Sequence, residues 1–192
     1  MNDAARRHFS NVIGFDDAPF LPGYTGPVKV VGTVYARLRL NGVLIGEVEK
    51  DGDDAAERLA KLIQRSKFAE NLHLVMLQGM ALGGFNVVDI QALHERLDLP
   101  VLIVARRDPD MVAIRDALLT RVPGGVQKWA RVERLGAMEQ VRDVYIQRVG
   151  MTVAQVETVL ETFTVEGNIP EPLRTAHLIA GALVTGESRG RT

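Results

Sequence analysis

The β-branched stretch Val28 to Arg39 (V-K-V-V-G-T-V-Y-A-R-L-R) constrains this chain more than any other segment. It demands a strand, and Asn41-Gly42 after it is a strong hairpin signal into a second strand, Val43 to Val48. A short apolar strand, Val12 to Phe15, comes first and ends in Asp16-Asp17, so three antiparallel neighbours are expected at the start. Asp53 or Asp54 then caps a helix over 55–66 whose apolar face carries Leu59, Leu62 and Ile63. Leu72 to Leu77 reads as the fourth strand, followed by a glycine-rich turn from Gly79 to Gly84 and a helix over 87–97. Val101 to Ala105 is the fifth strand, and Pro109 opens a helix over 111–119. This order predicts an α/β fold whose later strands run parallel through right-handed crossovers, with functional residues at strand carboxyl ends. Beyond it lie an added strand within 141–149, a helix over 153–163 and, after Pro170, a last helix over 173–184. With no repeat or linker, residues 1–192 read as one domain with a loose tail at 186–192.

A chain of 192 residues, 46% hydrophobic and 24% charged, can bury a core without staples. It has no cysteine, which excludes disulfides, thiolate metal sites and cysteine nucleophiles and suits a reducing cytoplasm. The N-terminus lacks a signal-peptide core and no run reaches the roughly 18 apolar residues of a membrane helix, so a cytoplasmic protein without membrane partners is expected. A net charge of -1 argues against a general DNA-coating role. Locally, Ala117 to Val132 has no acidic residue and carries Arg121, Lys128, Trp129 and Arg131. That pattern fits a nucleic-acid surface that grips the backbone and stacks a base, and equally a solvated basic face.

The chemistry-bearing residues are scattered: Asp16-Asp17, then Asp51, Asp53 and Asp54, then Asp89, then His177. Carboxylates and an imidazole gathered around a divalent cation make a hydroxide nucleophile and stabilise a phosphoryl transition state. Each residue also has a structural reading. Asp16-Asp17 before Ala-Pro suits a turn, Asp54 with Glu57 suits a capping box, Asn86 with Asp89 has the same spacing, and His177 suits a helix packed on the core. The loop G-M-A-L-G-G lacks P-loop residues, yet Gly79, Gly83 and Gly84, with Asn86 nearby, would let a nucleic-acid backbone or flipped base approach the sheet. Phe20-Leu21-Pro22 suits a wedge between bases, or plain surface packing.

Five blocks carry a resemblance: I-G-F-D-D-A-P-F at 13–20, D-G-D-D-A-A-E at 51–57, G-G-F-N-V-V-D at 83–89, L-P-V-L-I-V-A-R-R-D-P-D at 99–110 and I-P-E-P-L-R-T-A-H-L-I-A at 169–180. Together they resemble the domain-of-unknown-function family numbered 99, related to endonuclease V and including an enzyme called endonuclease dU. The resemblance spans nearly the whole chain. It implies a ribonuclease H-like fold: a mixed five-stranded sheet flanked by helices, with a C-terminal helical extension. It further implies a metal-dependent endonuclease acting on nucleic acid with deaminated bases (uracil, hypoxanthine), DNA more than RNA, in a repair role. By resemblance Asp16 binds Mg2+ or Mn2+ from the first strand, and Asp51 or Asp53 supplies the second acidic ligand. His177 approaches the metal, and Arg106 stands where endonuclease V carries a lysine. The implied catalytic set is therefore Asp16, Asp53, His177 and Arg106. One departure stands out: where endonuclease V has Asp-Gly at the end of the fourth strand, this chain has Gln78-Gly79. A neutral oxygen holds a hard cation less well than a carboxylate, and Asp89 is the nearest compensating acid. The alternatives are a nucleic-acid or nucleotide-binding protein that no longer cuts, or a structural or regulatory partner that kept only the fold.

Overall fold

A computed structural model describes residues 9–188, so the expected tail is described only from Gly186 to Ser188 and the rest of it lies outside the described residues. Strands β1 (Asn11–Asp17), β2 (Val28–Ala36) and β3 (Arg39–Val48) form the antiparallel start. They are followed by α1 (Ala55–Gln64), β4 (Leu74–Gln78), a small hairpin of β5 (Ala81–Leu82) and β6 (Asn86–Val87), α2 (Ile90–Leu97) and β7 (Val101–Ala105). Next come α3 (Met111–Arg121), α4 (Gly125–Leu135), β8 (Glu139–Val141), β9 (Val144–Val149), α5 (Val153–Phe163) and α6 (Glu171–Thr185). The main sheet has seven strands in the order β3-β2-β1-β4-β7-β9-β8. Its first five are the mixed sheet expected from the resemblance, with β4 and β7 parallel to β1; the added strand of the sequence reading is an antiparallel hairpin, β8–β9, on the far edge.

The strands read as continuous apolar runs because both faces are covered. Ile13, Phe15, Val75, Leu77 and Ile103 pack beneath α1 and α2, where Leu59, Ile63, Ile90 and Leu93 are buried. Val12, Met76, Leu102 and Val104 face α5 and α6, against Val156, Leu160, Phe163 and Leu173. Each such side chain contributes about 1.5–3 kcal/mol on burial.

Four local expectations are corrected. Asn41-Gly42 is not the hairpin turn: the chain reverses at Arg37-Leu38, with Arg37 at φ 53, and the register shifts between Val34 and Tyr35, leaving Asn41 as a bulge. Gly42 lets the Phe68 ring pack directly on the strand, since a Cβ would lie 2.3 Å from the ring. The helix expected from Val87 begins at Ile90, since Asn86 and Val87 pair with β5, and Asp89 is itself the N-cap, accepting from the Ala92 N–H at 3.0 Å. The Asp54–Glu57 capping box is absent; Glu57 pairs with Lys61, and Asp54 accepts from the Glu49 N–H and from Asn86. Finally, residues 125–135, for which the sequence pattern predicts no helix, form α4, whose N-cap Gly124 has no side chain to cap it.

Candidate active site

Gly14 lets α6 settle directly on β1: a Cβ there would lie 2.7 Å from the Pro172 carbonyl carbon. The Thr33 hydroxyl donates to the Pro172 carbonyl at 2.5 Å and the Tyr35 hydroxyl lies 2.8 Å from that of Thr175, so α6 is fastened to β2 as well. Neither fastening was anticipated, although Ala176 and Ala180, one turn apart and fully buried, are the small-residue spacing that close packing leaves in a sequence. One turn of helix beyond Leu173, His177 is brought over the end of β1.

There His177 Nδ1 meets Asp16 Oδ2 at 2.7 Å. Asp16 is only 6% exposed, and its Oδ1 accepts from the Asp17 N–H at 3.0 Å. The hydrogen bond to Asp16 lifts His177 above the ordinary imidazole value, while burial and the guanidinium of Arg106 pull it down. Arg106 follows β7 immediately, is exposed, and has no ion pair among the described residues. Gln78 ends β4 beside β1, where Leu77 is level with Phe15. Its Oε1 is buried without a hydrogen-bond partner. Gly79 follows in the left-handed region (φ 81) with open space where a side chain would stand. Asp16, Gln78 and Arg106 thus sit at the carboxyl ends of three adjacent parallel strands, where α/β sheets bind their ligands.

Asp17 is held differently. Its Oδ2 accepts from the Gly83 N–H at 2.9 Å, and burial, then the charge of Asp16, pushes its pKa up to about 6. Gly83 in turn accepts from the Asp51 N–H at 2.8 Å, and Asp51 Oδ1 accepts from the Phe85 N–H at 2.8 Å. Gly84 completes the turn: a Cβ on it would lie 2.4 Å from Asp51 Oδ1 and 3.5 Å from the Phe20 ring. Phe20 is half-buried under Lys50, whose Nζ is 5.5 Å from the ring centroid.

The basic surface expected over Ala117 to Val132 is corrected. Lys128 is 2% exposed and donates to the Asp51 carbonyl; burial lowers its pKa. Trp129 packs with Leu118 and Val132, and Arg131 forms a two-pronged ion pair with Asp53 and a longer one with Asp89. Arg131 pairs with acids of the same molecule and Lys128 is buried on a backbone carbonyl, so neither is offered to a nucleic acid. Asn86 is corrected likewise: fully buried, it accepts from the Ala55 N–H and donates to the Glu49 carbonyl and Asp54, leaving nothing for a base. Gly83 is buried too, against Val48 and Val28, and serves packing, whereas Gly79 faces open space and Gly84 is exposed.

Asp51 and Asp53, expected as the second acidic ligand, are therefore occupied. Hydrogen bonds from Lys50 and Phe85 bring Asp51 below the usual carboxylate range against the effect of burial, and Arg131 does the same for Asp53. Hydrogen bonds through Gly83 join Asp51 to the Asp16–Asp17 pair. Among the described residues no three of His, Cys, Asp and Glu converge as a ready-made ion cage. Asp16 ends β1 with a buried carboxylate and Gln78 ends the neighbouring strand β4 with an amide oxygen that has no hydrogen-bond partner among the described residues. Among the described residues no helix is long and apolar enough to cross a membrane.

Residues 8–184 match the family described as Endonuclease dU. A UPF0215 protein of Deinococcus radiodurans is 52% identical over 182 residues, 95% of this chain and 93% of the relative, and one from Methanothermobacter thermautotrophicus is 42% identical over 183 residues, 93% of this chain and 90% of the relative. A crystal structure of a protein of unknown function from Archaeoglobus fulgidus superposes with a TM-score of 0.85 at 35% identity, covering 92% of this chain and 99% of that one. Human endonuclease V superposes with a TM-score of 0.53 at 18% identity over 93% of this chain and 85% of its own, a likeness of fold that makes this sheet ribonuclease H-like. Ciona intestinalis endonuclease V, solved with a DNA containing inosine, gives 0.53 at 13% identity, over 87% and 82%. With a family match running almost end to end and relatives of this identity, the chain belongs to the endonuclease dU family.

Proposed function

We propose that this protein is a divalent-metal-dependent endonuclease that hydrolyses phosphodiester bonds in DNA near deaminated bases, uracil or hypoxanthine, as in DNA repair. The observation that carries the proposal is the Asp16–His177 pair at 2.7 Å at the end of β1, with the buried Gln78 oxygen, which has no hydrogen-bond partner among the described residues, ending the neighbouring strand β4. Asp16 and Gln78 would hold Mg2+ or Mn2+. When bound, the ion would lower the pKa of a water molecule and offset charge developing on the phosphoryl oxygens. His177, tethered through Nδ1, keeps Asp16 oriented, as partners of metal-binding carboxylates do, and its Nε2 has no protein partner among the described residues, leaving it to orient the attacking water. Arg106, exposed at the end of β7 and without an ion pair among the described residues, binds a phosphate oxygen and fixes the strand to be cut. Gly79 gives the backbone room to approach, and Phe20 and the exposed Gly84 flank the entrance.

A second reading, a protein that binds such DNA without cutting it, is favoured by two observations: Asp53 is paired with Arg131, and position 78 is a neutral amide. Single- and double-stranded oligonucleotides carrying one deoxyuridine or deoxyinosine, incubated with Mg2+ or Mn2+, decide between them. Cleavage by the wild type that is lost in Asp16→Asn supports the nuclease. Retained binding with no cleavage by either protein supports the second reading, and neither binding nor cleavage rejects both.

A further inference from the structure

We propose that Lys128 is a positioning residue that sets the geometry of the cleft from a distance, and the inference rests on the nuclease reading above. It is almost fully buried in α4, and lysines are rarely buried without a paired carboxylate. Here Nζ donates to a backbone oxygen, that of Asp51, whose own backbone is in the left-handed region at φ 52. A non-glycine residue in that conformation is held by its surroundings. Asp51 then passes the constraint on. Its N–H grips the Gly83 carbonyl at 2.8 Å, the Gly83 N–H binds Asp17 Oδ2 at 2.9 Å, and the Asp17 N–H binds Asp16 Oδ1 at 3.0 Å. An unbroken series of hydrogen bonds therefore runs from the α4 lysine to the carboxylate that would hold the cation.

An apolar side chain of similar length would be cheaper to bury than an ammonium group, so retaining the charge is not explained by packing. Its position is informative: the ammonium group stands close enough to feel both Asp51 and Asp53, at the root of the glycine turn that flanks the site. Lys128 fixes the Asp51 turn, and the turn fixes the end of β1.

Lys128→Met tests this, with Lys128→Arg as the conservative variant and Lys128→Gln as the substitute should the methionine variant not fold. Two readouts are needed. In Lys128→Met the amide protons of Gly83 and Phe85 should exchange at least about tenfold faster than in wild type, while amides in the middle of β4 and β7 are unchanged. On the oligonucleotide substrate, kcat should fall about 10- to 100-fold with KM changed less than about twofold, as expected when the reacting groups are misplaced and binding is intact. Lys128→Arg should restore part of both. Unchanged exchange at Gly83 and Phe85 in a folded variant overturns the inference. So does an equal loss of protection throughout the sheet, which would mark Lys128 as merely structural. Because exchange is read without substrate, a wild type that cuts nothing would reject the nuclease reading and leave the positioning role to be decided by exchange alone.

Discussion

His177 and Asp16, 161 residues apart, are joined by a 2.7 Å hydrogen bond from the face of α6 to the end of β1. His177 is the more open partner, with 39% of its side chain exposed against 9% for Asp16. The imidazole can therefore be removed without opening the core.

His177→Ala should leave the fold intact and lower the rate of cleavage roughly 10- to 100-fold, the usual consequence of losing a partner that orients a metal-binding carboxylate. Asp16→Asn should be more severe, because it removes charge from the donor itself. Steady-state kinetics on the deoxyuridine and deoxyinosine oligonucleotides distinguish the two. Equal activity of His177→Ala and wild type would remove the histidine from the site.

Asp17 gives the protein an unusual dependence on pH. Its carboxyl ordinarily titrates at 3.8 and is raised to about 6 here, first by burial and then by the charge of Asp16. A folded-state value above the unfolded one means that the folded protein takes up the proton more readily. The contribution of Asp17 is therefore most favourable below about pH 4 and is lost as pH rises through about 6, by roughly 2–3 kcal/mol in all. His177, also raised, acts in the same sense at higher pH, its stabilisation fading as pH climbs through the elevated imidazole value. Asp17→Asn should be more stable than wild type at pH 7, with the difference vanishing near pH 4. Urea titrations at the two pH values measure it; a difference that does not change with pH contradicts the assignment.

Gly14→Ala should cost about 1–3 kcal/mol, since the new methyl would sit 2.7 Å from the backbone carbon of Pro172, which cannot rotate away. The strain would be relieved by lifting α6, which carries His177, away from β1, which carries Asp16. Thermal unfolding should show the loss of stability. The chemical shift of the His177 ring should move toward that of a free imidazole, and an unchanged ring signal would mean that the helix does not yield.

Much of this was legible in the sequence, for reasons that differ by residue. Strands β1, β2, β4 and β7 announce themselves because burial on both faces leaves apolar runs, the exposed edge strand β3 shows only as the continuation of a hairpin, and Asp16 and His177 stand in blocks that resemble the family. The sequence could not show that Arg131 faces Asp53 across 78 residues, or that Lys128 is buried, because ion pairs between distant segments leave no local periodicity. The absence of acids around Lys128 and Arg131 therefore fits either a surface for nucleic acid or a solvated basic face, whereas their partners are supplied by Asp51, Asp53 and Asp89. Asn41-Gly42 misled for a related reason: the pair has the chemistry of a tight turn, but its glycine is spent on contact with Phe68.

Asn86 should behave as a structural residue and not as a contact for DNA. Its amide is fully buried and makes three hydrogen bonds, to Ala55, Glu49 and Asp54, which together fasten the start of α1 to β6. Asn86→Ala strands these groups and should cost about 2–4 kcal/mol. Affinity for an oligonucleotide, measured below the unfolding temperature of the variant, should not change; a selective loss of affinity at full stability would restore the nucleic-acid role.

Gln78→Asp tests the neutral oxygen that ends β4. The Gln78 Oε1 is buried with no donor to satisfy it, a state that costs energy unless a ligand supplies the missing partner. A cation shared with Asp16 would be that partner, but a neutral oxygen attracts it less than a carboxylate does. Gln78→Asp should therefore tighten Mn2+ binding by about tenfold or more, since each added ligand charge raises affinity in sites of this kind. Without metal the same substitution sets a third carboxylate near Asp16 and Asp17, whose repulsion already helps to raise the Asp17 pKa, so the metal-free variant should be less stable than wild type. The two effects have opposite signs and can be read in one experiment: thermal unfolding with and without Mn2+ should show a lower midpoint for the metal-free variant and a larger rise on adding metal than in wild type. If the variant is destabilised and metal does not restore it, the amide oxygen of position 78 does not face a cation.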